Sequence, residues 1–335
     1  MEYRHLGHSG LKVSPLCLGT MMFGAQTDED TARCIIARAR EQGVNFIDTA
    51  DVYAEGRSEE IVGRAITQNR SDWIVATKLG NQIGARQGDS GLSRHWIMRA
   101  VEGSLTRLGV DCIDIYYFHK EDHTTPLAES VRAMGDLIRQ GKVRYFGLSN
   151  FRSWRVAEIC NLCDRMGIDR PVVSQPYYNA MNRMPETEHL PACGYFGLGV
   201  VPYSPLARGV LTGKYQPDAA PPEDSRAGRR DARMMQSEWR PESLRLAQEI
   251  KQHAEARGIS TGAFAVAWVL NNRLVTSVIA GPRTLEQWED YPKALDYRFT
   301  SEDEALIDRL VSTGHPSTPG YNDPAFARPA GGRRP

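Results

Sequence analysis

The feature that most constrains this chain is a rhythm. Short apolar runs closed by a turn alternate with longer stretches of helical periodicity, and the unit recurs eight times. A short apolar run between turn signals reads as a buried strand, and apolar residues three and four apart read as the inner face of a helix. By this reading strands fall at residues 14–19, 44–48, 73–79, 112–119, 143–148, 171–175, 200–203 and 277–281. The first ends in Gly19-Thr20-Met21-Met22. Thr27-Asp28-Glu29-Asp30 then opens a helix with Ala32, Ile35 and Ala39 on one face and a stop at Gly43. Ser58 reads as the start of the second helix and Ser93 as that of a third, ending near Gly109. Further helices are expected at 126–140, 154–166, 241–257 and 261–271, with a weaker segment near 186–192.

Strands that alternate with helices pair in parallel and place the helices outside. Eight of them favour an α/β chain closed into a (β/α)8 TIM barrel over the alternative, an open doubly wound sheet. Residues 2–13, with Gly7 to Gly10 as the turn, read as an N-terminal β-hairpin that plugs one end. A barrel of this kind runs to about 250 residues or more as one unit. The 335 residues therefore read as a single barrel domain, 1–335. Two segments break the rhythm. Residues 207–240, after the seventh strand, form a long loop rich in Gly, Pro, Arg and Asp, and a connection of that length is usually functional or disordered. Residues 313–335 are a Pro- and Gly-rich tail.

The charge pattern narrows the partners. With 41 basic and 41 acidic side chains there is no long-range field for a polyanion, so neither nucleic acid nor an anionic membrane is expected. No stretch approaches the roughly 20 apolar residues of a spanning helix, and the polar start MEYRHLGHSG has no signal-peptide core. Six cysteines in 335 residues do not make a disulfide framework. A cytoplasmic protein with a small-molecule partner is the expectation, and a homo-oligomer is compatible with it.

Chemistry in a barrel gathers on the loops after the strand C-termini. Asp48, Lys78 and His119 end strands two, three and four, and Tyr53 lies on the loop after strand two. Each alone has a bland reading: a cap, a solvated charge, a rim histidine, a packed aromatic. Together on adjacent strands they suit carbonyl reduction, in which hydride arrival leaves negative charge on oxygen. Tyr53 is the proton donor in this reading. Its phenol, near pKa 10 in water, needs a cation to favour phenolate, and Lys78 supplies it. Asp48 keeps Lys78 charged, and His119 gives the oxygen a second hydrogen bond.

The runs NFIDTADVYAEGRSEEIVG, IVATKLG, DIYYFHKED, VRYFGLSNF and VPYSPLARGVLTGKY closely resemble the aldo-keto reductases, in particular the bacterial enzymes and the branch that includes potassium-channel β-subunits. The resemblance spans nearly the whole chain. It implies NADP-dependent reduction of an aldehyde or ketone without metal, NAD being the less favoured cofactor, with Asp48, Tyr53, Lys78 and His119 as the catalytic set. It further implies cofactor contacts from Gly19, Thr20 and Asp48, from Ser149, Asn150 and Gln175 at the nicotinamide carboxamide, and from Tyr203 stacked on its ring. Ser204, Leu206, Gly209 and Lys214 match the pyrophosphate stretch, and Gly281, Arg283 and Gln287 the adenosine-phosphate segment. In GPRTLEQWEDY, Tyr291 stands where the family commonly has Asn, and Pro282 where it has Ala. Phe23, with Tyr53 and His119, is expected at the substrate, and residues 120–123, Tyr177 and the tail are expected to shape its pocket. Arg226, Arg229 and Arg230 make the long loop a candidate clasp over the cofactor. The rival expectation is a redox-sensing, cofactor-binding regulatory subunit with little turnover; the extra N-terminal segment such a role would use is not expected here.

Other signals are set aside. Gly197-Leu198-Gly199 lacks the third glycine of a dinucleotide fingerprint. Cys160 and Cys163 read as one face of a helix. His119 and His123 lie in no HExxH pattern, so zinc is not expected.

Overall fold

A computed structural model describes residues 1–84, 86 and 88–318. The chain opens with a two-stranded antiparallel hairpin, β1 (Arg4–His5) and β2 (Lys12–Val13). Eight parallel strands follow: β3 (Leu16–Gly19), β4 (Phe46–Asp48), β5 (Ile74–Leu79), β6 (Ile113–Phe118), β7 (Val143–Ser149), β8 (Val173–Gln175), β9 (Gly199–Val200) and β10 (Val278–Ala280). Their order is β10-β3-β4-β5-β6-β7-β8-β9. Val200 bridges Val275, and the Thr276 and Ile279 amides donate to the carbonyls of Val200 (2.8 Å) and Pro202 (3.0 Å). These bonds join β9 to β10, the two ends of that order, and so close the sheet into a barrel, as the count of strands predicted.

Side chains alternate across a strand, so each barrel strand feeds two cores. Cys17, Phe46, Ala76, Ile115, Tyr117, Val173, Val201 and Ile279 pack inside the barrel together with Leu6 and Val13 of the hairpin. Their chain neighbours Leu18, Ile47, Val75, Tyr116 and Phe118 point outward and pack in the shell that includes the helices. The hairpin closes the N-terminal end. Gly7, at φ 57°, sits so close that a Cβ would lie 2.4 Å from the Gly197 carbonyl oxygen, and the His8 amide donates to that oxygen at 2.8 Å.

Local chemistry accounts for most helix ends. Asp28 caps Glu29–Glu41 through the Thr31 amide at 2.8 Å, and Ser93 caps Arg94–Leu108, which Gly109 ends in the left-handed region at φ 62°. The second helix, Arg57–Ile66, differs from expectation. Its cap is Gly56, because the chain after β4 coils into a tight turn, Tyr53–Gly56, with Ala54 and Glu55 at positive φ. Ser58 is thereby drawn inside the first turn. Its buried hydroxyl meets Thr20 Oγ1 at 2.8 Å and Thr49 Oγ1 at 2.9 Å, pinning the loops after β3 and β4 together.

The long segment after β9 is partly ordered into helix: a 3-10 stretch at Ala207–Thr212, a short helix Ala232–Gln236, then Pro241–Ala256. The weaker segment is a helix at His189–Phe196. Cys160 and Cys163 are buried on the helix Ser153–Met166. The tail expectation mostly falls on residues outside the described ones; its first part, through Thr318, packs on Met181 and Ser243. No helix among the described residues is long and apolar enough to cross a membrane.

Candidate active site

The interior alternation that builds the barrel also builds the site. Asp48 lies two residues beyond Phe46, Lys78 beyond Ala76, His119 beyond Tyr117, Gln175 beyond Val173, Tyr203 beyond Val201 and Gly281 beyond Ile279. Each occupies the layer above the inner core, at the C-terminal mouth. There they border or underlie one cavity of about 860 Å³, a size typical of a ligand site.

At its floor Lys78, with no exposed side-chain surface, donates from Nζ to Asp48 Oδ1 at 2.5 Å, to the Thr49 carbonyl at 2.7 Å and to Tyr53 Oη at 3.3 Å. Gln175 Nε2 donates to the other Asp48 oxygen at 2.8 Å. The loop that holds Tyr53 is tied to β5, the Thr49 amide bonding to the Ala76 carbonyl and the Asp51 amide to that of Lys78. The imidazole of His119 stands edge-on to the Tyr53 ring at 5.9 Å. Its Nδ1 is buried and meets no hydrogen-bond partner among the described residues.

Burial sets the protonation states. It raises the Asp48 carboxyl, against the opposing pull of Lys78 and Gln175. Burial works against the Lys78 charge, but Asp48 and then Tyr53 outweigh it, so the ammonium is held above its usual range. For Tyr53 burial outweighs the Lys78 ammonium, and the phenol titrates above its ordinary value. The sequence reading gave Lys78 the upper hand; at this site desolvation of the phenolate is the larger effect. Burial, followed by the charges of Lys78, Arg233 and Lys120, pushes His119 well below the ordinary imidazole range. Tyr53 thus stays protonated and His119 uncharged at neutral pH.

Along the wall, Ser149, Asn150 and Gln175 form a polar chain. Ser149 Oγ donates to the Gln175 carbonyl at 3.0 Å, Asn150 Nδ2 to Ser149 Oγ and the His119 carbonyl at 2.9 Å each, and Tyr203 Oη to Asn150 Oδ1 at 2.8 Å. Asn150 and Ser204 hold positive φ, 60° and 56°, at the rim. Gly19, Thr20, Leu206, Gly209, Lys214, Gly281, Arg283 and Gln287 also line the cavity. At Gly281 a Cβ would meet nothing within 4 Å, so its bare backbone faces open cavity. Tyr291 lines the same end, largely buried against Trp288. The long loop spans this end: Arg229 reaches Gln26 at 3.4 Å, Arg226 the Met22 sulfur at 4.0 Å, and Arg283 the Asp224 carbonyl at 3.4 Å.

Three groups of residues expected at the substrate are placed elsewhere. Phe23 is fully buried in the outer core and does not line the cavity. In 120–123, Glu121 pairs with Arg152 and His123, and Asp122 accepts from Thr124, Thr125 and the Leu92 amide. Tyr177 stacks beside Tyr203 at 5.5 Å and donates to Glu238. Conversely Asn81, Arg208 and Arg233 line the cavity, and sequence reasoning passed over them. The basic run in the long loop was the available signal. Arg230 was singled out from it, yet the cavity takes Arg233, three residues on.

Comparison with known proteins agrees with this architecture. The aldo/keto reductase family matches residues 15–312. A probable voltage-gated potassium channel subunit beta of Oryza sativa is 40% identical over 96% of this chain and 100% of its own length. An uncharacterized oxidoreductase of Bacillus subtilis is 38% identical over 98% and 100%. The L-glyceraldehyde 3-phosphate reductase of Escherichia coli O157:H7 is 33% identical over 94% and 93%. With a barrel of eight parallel strands and a family match over most of its length, the chain belongs to the aldo/keto reductase family, among its oxidoreductases.

Proposed function

We propose that the protein reduces small aldehydes or ketones with NADPH, Tyr53 delivering the proton. The observation that carries this reading is the Lys78 ammonium bonded at once to Asp48, the Thr49 carbonyl and Tyr53 at the floor of the cavity. The residues fit a dinucleotide. The cavity has the volume, the bare Gly281 backbone leaves a cradle that a side chain would fill, and the basic side chains Lys214, Arg226, Arg229 and Arg283 line the cavity. When bound, the nicotinamide supplies a hydride to the carbonyl carbon. In this reading Ser149, Asn150 and Gln175 hold the carboxamide and Tyr203 stacks on the ring beside Gly19, Thr20 and Asp48. Ser204, Leu206, Gly209 and Lys214 hold the pyrophosphate, and Gly281, Arg283 and Gln287 the adenosine end. The planar fork of Arg283 suits a 2′-phosphate, which favours NADP over NAD.

Charge developing on the carbonyl oxygen is met by the Tyr53 hydroxyl and by a hydrogen bond from uncharged His119. The proton passes from Tyr53 Oη to that oxygen. Lys78, 3.3 Å away, stabilises the phenolate left behind, and Asp48 keeps Lys78 in place.

A second reading has an observation of its own, the plant relatives named as probable channel subunits. On that reading the cavity holds its cofactor to report redox state and turns over little. One experiment separates the two. NADPH and NADH are each offered with aromatic, aliphatic, sugar and bulky cyclic carbonyls, to the parent and to Tyr53→Phe. The reductase reading expects turnover with NADPH that falls roughly 10²–10⁴-fold in Tyr53→Phe, with NADPH affinity unchanged. Undiminished turnover in Tyr53→Phe defeats the mechanism. Tight NADPH binding with negligible reduction of every carbonyl favours the regulatory reading.

A further inference from the structure

The Lys78 ammonium donates to Asp48 at 2.5 Å, to the Thr49 carbonyl at 2.7 Å and to Tyr53 Oη at 3.3 Å. The bond to Tyr53, on which the proton chemistry depends, is the longest of the three. It is therefore the first to be lost if Nζ drifts on its flexible stem.

Two aromatic rings stand beside that ammonium. The Tyr53 ring centroid lies 4.9 Å from Nζ and the Tyr117 ring centroid 6.0 Å, both within cation–π range. Tyr117 is fully buried in the inner core and is the direct cross-strand partner of Lys78. Its partner on the other side is Gly147 of β7. A Cβ on Gly147 would lie 2.5 Å from Tyr117 Cδ1, 2.6 Å from Cε1 and 3.0 Å from Val173 Cγ1. Gly147 lies inside the strand, and its φ is not in the left-handed region, so the backbone does not call for glycine there. A glycine inside a strand weakens it and marks a place where something approaches closely. Here it is the Tyr117 ring, which occupies the volume a side chain at 147 would take.

We infer that Tyr117 is a positioning residue for Lys78: its ring, seated on Gly147, backs the ammonium and keeps Nζ within reach of Tyr53 Oη. The inference rests on the reductase reading and adds a residue to it. Without the ring, space opens beside Nζ and the cation–π attraction is gone. The longest bond then yields. That bond strengthens as Tyr53 becomes phenolate, so its loss lowers kcat and kcat/KM together and leaves the KM of the carbonyl unchanged.

The test uses the full chain, saturating NADPH and the aldehyde that the parent reduces best. In Tyr117→Leu, kcat is expected to fall about 10- to 100-fold, the range for a hydrogen bond to a charged group. KM and NADPH affinity stay put, and Tyr117→Phe, which keeps the ring, holds kcat within about threefold of the parent. Gly147→Ala leaves every other side chain in place and displaces the ring, so it lowers kcat in the same way, even should Tyr117→Leu fail to fold. In the double variant Gly147→Ala/Tyr117→Leu the loss is no larger than in Tyr117→Leu alone. Unchanged kcat in Gly147→Ala, an equal loss in Tyr117→Phe, multiplication of the two losses in the double variant, or a loss expressed through KM each overturns the inference. In all four, turnover that depends on Tyr53 leaves the reductase reading standing. If the parent reduces no carbonyl, both fall.

Discussion

Replacing Lys78 by Met removes from the centre of the floor the charge that compensates Asp48. Both side chains are essentially unexposed, and Nζ makes three hydrogen bonds that Met cannot make. Breaking a buried ion pair from one side costs about 3–5 kcal/mol, because the remaining charge is stranded. Gln175 Nε2 still donates to Asp48, which argues for the lower half of that range. Asp48→Asn strands the ammonium instead and has a similar cost. In the double variant neither charge remains, so its cost is expected to be smaller than the sum of the two by at least about 2 kcal/mol. Urea unfolding of the parent, both single variants and the double variant measures this coupling directly. The pH dependence adds an internal check. Without Lys78, burial raises the Asp48 carboxyl further above its unfolded value of about 3.9, so the native state of Lys78→Met binds the extra proton. Stability of that variant must then rise as pH falls from the raised folded pKa toward 3.9, by up to about 1.4 kcal/mol per unit. Additivity of the single variants within about 0.5 kcal/mol, or a Lys78→Met variant that loses stability over that acid range relative to the parent, would refute this account of the floor.

Two further outcomes test other parts of the site. Gly281→Val places a side chain into open cavity, where a Cβ meets nothing within 4 Å, so NADPH affinity should drop at least about tenfold while the urea midpoint stays put; calorimetric titration reads the first and unfolding the second. His119 titrates well below and Tyr53 above their ordinary values, so both keep their working protonation state across the neutral range. The reductive kcat/KM should therefore show no inflection near pH 6.5, the ordinary imidazole value, and should decline only as the medium becomes alkaline enough to ionise Tyr53. An inflection near pH 6.5 that disappears in His119→Gln would overturn that protonation assignment.

Where sequence and structure part company, the division follows distance along the chain. Strand and helix positions depend on apolar period and on caps such as Asp28 and Ser93, all within a few residues, and they were legible. Ser58 misled because a cap and a buried hydroxyl bridge use the same residue type, and only the partners Thr20 and Thr49 tell them apart. Phe23 follows the first strand closely enough to be expected at the mouth, yet it packs into the outer core. In the basic run of the long loop, the short helix capped by Asp231 decided that Arg233 and not Arg230 lines the cavity.

By itself, then, the amino-acid sequence determined the eightfold alternation and put Asp48, Lys78 and His119 at strand ends, since period and position are local properties of a chain. Tertiary structure alone decided that Tyr53 keeps its proton against the pull of Lys78, that Gln175 shares Asp48 with that lysine, and that Arg233 lines the same cavity as Tyr53 and Gln175. Those outcomes are sums of desolvation and charge over residues as much as 127 positions apart, and such sums exist only once the barrel has brought its strands together.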